Sequence, residues 1–520
     1  MWLFLACTGD QPKDQIDTPA DSGPVADTDS GEDSGGDRGD SGDDTGGDTA
    51  EPVVFDTTVD VIVVGTGPAG AAATVTAMDA GATVIVFERE EEAGMGMRLA
   101  GLVFGAGTRW QAEDGVEDSP EAAIAEWPEI TGANASQGVQ DFVQNSAANL
   151  EWLAAKGAEV EGPMEDLDAG SVARLHQMGW EDDPWPTFTE GYEPELRLGV
   201  EVTEPVMADG VVVGVRWRDT VTGEEGATGA AAVVVATGGF LRNRDRVNAA
   251  VPALADRELL YETNPSSNGG GLPFLDLAGA GSLRPEDIGM YVHALQDPGE
   301  AEGEALVAFM PDGMVLVDKD GNRFIDEEWS KSFDLFDRLP SGEVYGITSG
   351  PNAENLTFMR PAYNWVVLDE PEMLTVPDIE DLGSTDIFVE EDPSTLATAV
   401  GLDPDTFVAT LDAYNTAAYT GTADAFGREP EAGEAVDGPP FVAVRLTPGL
   451  AKAFGGVATD ASGHVLTPTG EEIPGLFAAG EVTGMVLGGG GGDGFSGSVN
   501  ACYWSGRVSG GNAAARALGE

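Results

Sequence analysis

The chain has 520 residues, enough for two or three packed domains without support from disulfides or structural metals. Its two cysteines, Cys7 and Cys502, exclude a disulfide framework, a four-cysteine zinc site, an iron–sulfur cluster and a CxxCH haem attachment. With 25 Lys plus Arg against 92 Asp plus Glu, the net charge of −67 repels phosphate backbones and anionic lipid, which excludes nucleic acid as a partner.

The first residues, MWLFLAC, form a short apolar run with a small residue before Cys7. This resembles the lipobox of bacterial lipoproteins, although the run is short for a signal and no basic residue precedes it. A lipidated Cys7 would place the protein in the cell envelope or periplasm; if residues 1–7 are not a signal, the location is cytoplasmic. Residues 8–56 are Asp, Gly, Ser and Thr with almost no large apolar side chain and a net charge of −13. Such a segment has nothing to bury and self-repels, so a disordered acidic linker is expected. The other −54 belongs to the body, whose lysines are Lys156, Lys319, Lys331 and Lys452. Dense acidity with few lysines suits a high-salt medium, and a GC-rich coding sequence would produce the same bias. No later stretch reaches the roughly 18 apolar residues of a membrane helix, so a soluble body is expected.

At Thr57 the texture changes. The stretch VDVIVVGTGPAGAAATVTAMDAGATVIVFERE reads as a buried strand (59–64), a glycine turn, an Ala-rich helix (69–80) and a second buried strand (83–88). Gly65, Gly67 and Gly70 form GxGxxG between strand and helix, with Glu88 closing the next strand. The first glycine permits the turn, the second lets backbone approach a pyrophosphate, and the third lets helix pack on strand. The helix N-terminus supplies free N–H donors, and Glu88 would accept from a ribose diol. Further on, VVVGVRWRD and AAVVVATGGF read as strands ending in a second glycine turn at Thr237, Gly238 and Gly239. IPGLFAAGEVTG reads as a third strand with a glycine stop, and 498–518 as a helix.

The GTGPAG form, with Pro68 and Ala69, the glycines after Glu88 (Gly94 among them), the second glycine turn and the IPGLFAAGEVTG tail occur in an order that resembles the fumarate reductase and succinate dehydrogenase flavoprotein superfamily. That group includes soluble fumarate reductases and 3-ketosteroid dehydrogenases. The resemblance covers 57–520 and implies an α/β architecture: a Rossmann-like FAD-binding domain with an inserted α+β capping domain, preceded by the acidic tether. The FAD-binding domain would be split into 57–287 and 454–520, with the cap at 288–453. It further implies Glu481 near the ribityl chain, and the amides of Gly497, Ser498 and Val499 against the flavin ring. The run 488–494 would be part of that wall or a plain surface loop. The His-Thr pair used for covalent attachment is absent, so FAD is expected to be non-covalent.

Substrate chemistry departs from the family pattern. GMVLVDKDGNRFIDEEWSKS matches the cap motif at Arg323, Phe324, Asp326 and Glu327, but Lys331 stands where the relatives place a proton-donating Arg or Tyr. Lys452, ahead of Gly455 and Gly456, stands where fumarate reductases have a substrate-binding His, and their late carboxylate-binding Arg has no counterpart. A dicarboxylate is therefore disfavoured. Lys331 and Lys452 are the catalytic candidates, with the alternative that both are solvated cap residues. His293 is the third candidate, with the alternative of a structural histidine. Arg360 and Tyr363 are potential cap contacts. His176 and His464 show no acidic or Cys partners at ligand spacing, so no metal site is expected. The expected function is hydride transfer between flavin and a C–C bond next to a carbonyl of a small molecule, with a separate electron donor or acceptor. The alternatives are an exported FAD-binding protein without turnover and, less consistent with the later motifs, a nicotinamide enzyme.

Overall fold

Val61 to Val64 are buried on both faces, and Thr57–Val64 accordingly forms a central parallel strand, flanked by Glu225–Val235 and Val84–Phe87. The computed structural model describes residues 53–98, 101–164, 170–327, 342–360, 373–489 and 495–520. Cys7, nearly all of the acidic linker, Lys331, Tyr363 and 490–494 lie outside the described residues. Met1–Val54 and Phe55–Glu520 are distinct units, and the sheets, the core and the site all belong to the second.

The first sheet runs in the order His464–Leu466, Glu472–Ala478, Glu225–Val235, Thr57–Val64, Val84–Phe87, Glu195–Arg197. A hairpin of Val200–Ala208 and Val211–Asp219 attaches to Glu225–Val235. The sequence therefore reads correctly as βαβ, with the observed helix at Pro68–Asp79. One strand of this sheet comes from near the C-terminus: Glu472–Ala478 pairs in parallel with Glu225–Val235. The 20-residue helix Val499–Leu518 then lies across Pro68–Asp79. The crossing is close enough that a Cβ on Gly506 would sit 2.1 Å from the Ala69 carbonyl, and one on Gly510 2.4 Å from that of Ala73.

The second sheet draws its strands from 260–453 and is built around the 13-residue strand Phe441–Ala453. Ile288–Gln296, Val344–Ser349, Ile387–Glu390 and the short Leu260–Tyr261 all pair with it. Leu260–Tyr261, placed by sequence in the first piece of the FAD-binding domain, thus hydrogen-bonds into the cap sheet. The described part of the cap motif carries an ion network: Arg323 pairs with Glu327 (2.5 Å) and Asp424 (2.6 Å), and Arg428 with Glu327 (3.1 Å). Among the described residues, no helix is long and apolar enough to cross a membrane.

A smaller sheet of Gly101–Phe104, Leu175–Trp180 and Ala158–Met164 packs beside the helices Val499–Leu518 and Gln137–Ala155. Beside it the fully buried Arg174 binds Asp118 (2.9 Å) and Glu126 (2.6 Å). Glu126 is held below the usual carboxylate range: burial opposes ionisation, but bonds from Ser171 and Arg174 outweigh it. Arg174→Ala should lower unfolding free energy by about 3–5 kcal/mol in urea titrations at pH 7, because the Asp118 carboxylate would stay buried without its cation. A depressed pKa contributes stability above the ordinary value of 4.5 and loses it as pH falls through the lowered one. The melting-temperature gap between wild type and Glu126→Gln should therefore shrink as pH drops below that value; a constant gap would contradict the assignment.

Candidate active site

Three glycine turns leave the first sheet at the same edge. Gly65 N–H donates to Phe87 O (2.8 Å), Ala236 N–H to Val64 O (2.8 Å) and Ala479 N–H to Val235 O (3.0 Å), so the parallel ladder continues to its last residues before each turn. Ligands of open α/β sheets bind at this carboxyl end. Gly65 has φ +101° and lies against the Ala236 carbonyl, while Gly70 packs on Gly65 O; both serve the turn itself. Gly67 caps the helix Pro68–Asp79 without any side-chain hydrogen bond, which leaves the first-turn amides of that helix open.

Between the turns and the cap lies a cavity of about 510 Å³. Gly65, Gly67, Pro68, Ala69, Glu88, Thr237, Gly238, Glu481, Gly497, Ser498, Val499 and Lys452 all line it. Glu88 is oriented by Thr66, whose amide and hydroxyl donate to it at 3.0 and 2.5 Å. Gly94, predicted on the wall, instead donates its N–H to Thr66 Oγ1 (2.9 Å) and so braces Glu88 from behind. Gly239 packs on Glu481 rather than lining the space. Sequence reasoning missed the loop 263–271, whose Asn264, Ser267 and Asn268 line the cavity, and also Arg89 and Glu262. The run TNPSSNGGG, a cluster of small polar residues after a strand, was the available signal.

Glu481 is the carboxyl of the site with donors from three separate segments. Its Oε1 accepts from the Ala453 amide (3.0 Å) and its Oε2 from the Gly239 amide (3.0 Å) and Ser267 Oγ (3.4 Å). Burial raises its pKa, opposed by these donors and by the charge of Lys452. Lys452 is carried in by the end of the strand Phe441–Ala453, and its Nζ donates to Phe495 O (3.2 Å). Phe495 is locked among Phe104, Trp127 and Phe142, which fixes the approach to the uncapped N-terminus of the helix Val499–Leu518. Cys502 also lines the cavity, and burial pushes its thiol up to about 12.

His293 does not line the cavity. It stacks on Tyr291, with ring centroids 4.7 Å apart, and meets Glu262 Oε2 at 3.3 Å; Tyr291 and Glu262 are the wall residues. The side chains are parallel because residues two apart on a strand share a face. Arg360 pairs with the buried Asp297 (2.6 Å). His176 is an enclosed structural histidine bonded to Thr108 (2.8 Å). His464, expected to lack acidic partners, has two of them. Its Nδ1 lies 3.0 Å from Asp460 Oδ2, and ligand-type atoms of Asp460, His464 and Glu472 fall within 4.8 Å of one another. A turn brings in Asp460, and pairing of Leu466 with Glu472 brings in the third group.

Residues 60–495 match the family described as FAD binding domain. The chain belongs to that family. FAD fits the cavity on this structure's own terms. A Cβ on Gly67 or Gly238 would meet nothing within 4 Å, and Thr237 Oγ1 is buried without a partner. In this FAD-binding chain the Gly65–Gly70 turn and its helix would hold the pyrophosphate, Glu88 a ribose, and Ser498 and Val499 the ring end. The chain is 28% identical to an NADH:fumarate oxidoreductase of Klebsiella pneumoniae, over 83% of this chain and 45% of that protein, so it spans less than half of that relative. It is 26% identical to a vinyl phenol reductase of Lactiplantibacillus plantarum, covering 88% of this chain and 96% of the other. The fold superposes on the open conformation of a flavocytochrome c3 fumarate reductase with TM-score 0.67 and 26% identity, covering 89% of this chain and 79% of that one.

A Cβ on Gly239 would lie 2.4 Å from Glu481 Cδ. Gly239→Ala should therefore displace this carboxyl and reduce flavin content at least about tenfold, read as the 450 to 280 nm absorbance ratio of purified protein; retained flavin would show that the contact is dispensable.

Proposed function

We propose that the protein is an FAD-dependent oxidoreductase acting on a carbon–carbon double bond next to a carbonyl in a small molecule, in either direction. The observation that carries this reading is that one cavity joins the dinucleotide turns to Lys452, a cation delivered by the cap. Relatives whose names specify reduction of an alkene support it.

Bound FAD supplies two-electron hydride exchange, so a hydride at one carbon and a proton at the other convert C=C to CH–CH. The chain's part is to bind, orient and protonate. Lys452 Nζ would hold and polarise the substrate carbonyl, drawing electron density from the alkene. Lys331 would deliver the proton at the neighbouring carbon, the role its place in the cap motif implies. The uncapped N-terminus of Val499–Leu518 presents partial positive charge where negative charge accumulates. The aromatic cluster around Phe495 anchors the segment that leads into this helix start. Electrons would come from or go to a separate partner.

Reduced protein mixed anaerobically with α,β-unsaturated ketones should be reoxidised, and Lys331→Met or Lys452→Met should slow this about a hundredfold while retaining flavin. Unchanged rates would remove that lysine from the mechanism; flavin that no enone reoxidises would leave a binding protein without turnover.

We also propose that the flavin is held non-covalently. The cysteine on the wall, Cys502, is a poor nucleophile with its thiol pushed up to about 12. Acid precipitation should release all yellow colour to the supernatant; colour in the pellet would mean a covalent bond.

A further inference from the structure

Arg89 and the loop 263–271 both line the cavity, and the reaction above uses neither. Arg89 follows Glu88, the residue placed to hold a ribose, and one short segment aims both side chains. The Glu90 amide donates to Glu88 Oε1 (3.0 Å), while Glu90 Oε1 accepts from Arg89 Nε (3.1 Å) and Nη2 (2.6 Å). An ion pair this open to solvent, with side chains 32% and 45% exposed, adds little stability of its own. Its effect is directional: with Nε and Nη2 occupied, the rigid planar fork presents Nη1 to Asn268 Oδ1 at 3.0 Å.

The loop is held from its other side by the second glycine turn. Gly269 N–H donates to Gly239 O (2.9 Å), Arg242 N–H to Ser267 O (2.9 Å) and Asn243 Nδ2 to Asn268 O (3.3 Å). The Gly270 amide also donates to Asn268 Oδ1 (3.0 Å), which orients the acceptor. A Cβ on Gly270 would lie 3.0 Å from Arg89 Nη1 and 3.2 Å from Asn268 Oδ1, so the glycine leaves room for the bond. Sheet order shows what the bond spans. Glu88 follows Val84–Phe87, the second glycine turn follows Glu225–Val235, and Thr57–Val64 lies between these two strands. The bond therefore links segments that leave the sheet on opposite sides of the turn Gly65–Gly70, where the pyrophosphate would sit.

We propose that the Arg89–Asn268 hydrogen bond is a tie across the adenosine half of the FAD site: it keeps the loop 263–271 against the wall that carries Glu88 and sets how fast FAD leaves. Arg89 and Asn268 are positioning residues, because each acts through the loop. The tie concerns retention of the cofactor and holds whichever alkene is the substrate.

The test dilutes purified holoprotein and follows flavin release by the rise in flavin fluorescence. Arg89→Ala and Asn268→Ala should each speed release about tenfold, the size of one charge-assisted hydrogen bond, and the double variant should exceed either by no more than about twofold. Asn268→Asp, which keeps an acceptor oxygen, should stay within about threefold of wild type. Because so exposed a bond adds little to the fold itself, the flavin-free variants should melt within about 2 °C of flavin-free wild type. Release as slow as wild type in either alanine variant would overturn the tie. So would a double variant about a hundredfold faster, which would mean that the two residues act on FAD separately. Release from Asn268→Asp as fast as from Asn268→Ala, or fast release that tracks a fall in the flavin-free melting temperature, would overturn it as well.

Discussion

The site depends on one enclosed carboxyl. Glu481 takes the amide of Gly239 from the second glycine turn, the amide of Ala453 from the end of the cap's central strand, and the hydroxyl of Ser267 from the polar loop. Each donor comes from a segment remote in sequence, and each would otherwise be an unsatisfied polar group under the cavity floor. The interaction therefore does for this fold what a disulfide does in smaller ones: it fixes where separate pieces of chain meet. Its cost is the burial that raises the carboxyl's pKa, and Lys452, close enough to oppose that shift, serves both the floor and the substrate chamber.

The sparse cations are distributed in a way that the net charge hides. Arg174, Arg323 and Arg428 are nearly fully buried and compensate interior carboxylates. Arg360 neutralises Asp297 in the same manner. Lys156 rests on the Tyr192 ring and Lys319 pairs with Asp320. Part of the positive charge thus neutralises interior carboxylates, and among the described residues Arg89 and Lys452 differ in that they line a ligand-sized cavity.

The dinucleotide half of the fold was legible because each of its demands falls on a particular residue type at a particular spacing: Gly65, Gly67 and Gly70 in the turn, buried valines on both sides, and Glu88 one strand later. What could not be read arises from contacts between distant segments. Glu262 has no motif; its seat over Gly449, some 190 residues away, comes from strand pairing that no local pattern encodes. His293 was noticed as a residue type, but its distance from the wall depends on Glu262 standing in front of it. The partners of His464 escaped for the same reason: one arrives by turn geometry and another by antiparallel register. Arg323 and Glu327 matched a sequence motif, and only the packing shows that they brace the cap from within.

The helix Val499–Leu518 lies over the helix that begins at the first glycine turn, so the two ends of the folded body are packed face to face. During synthesis the turn and its helix emerge more than 400 residues before their cover and the ring-end wall at Ser496 to Val499. Until then the Ala-rich face of Pro68–Asp79 has nothing to pack against, and the cavity has no closed end. The order of translation consequently leaves the nascent βαβ unit waiting for its partner helix.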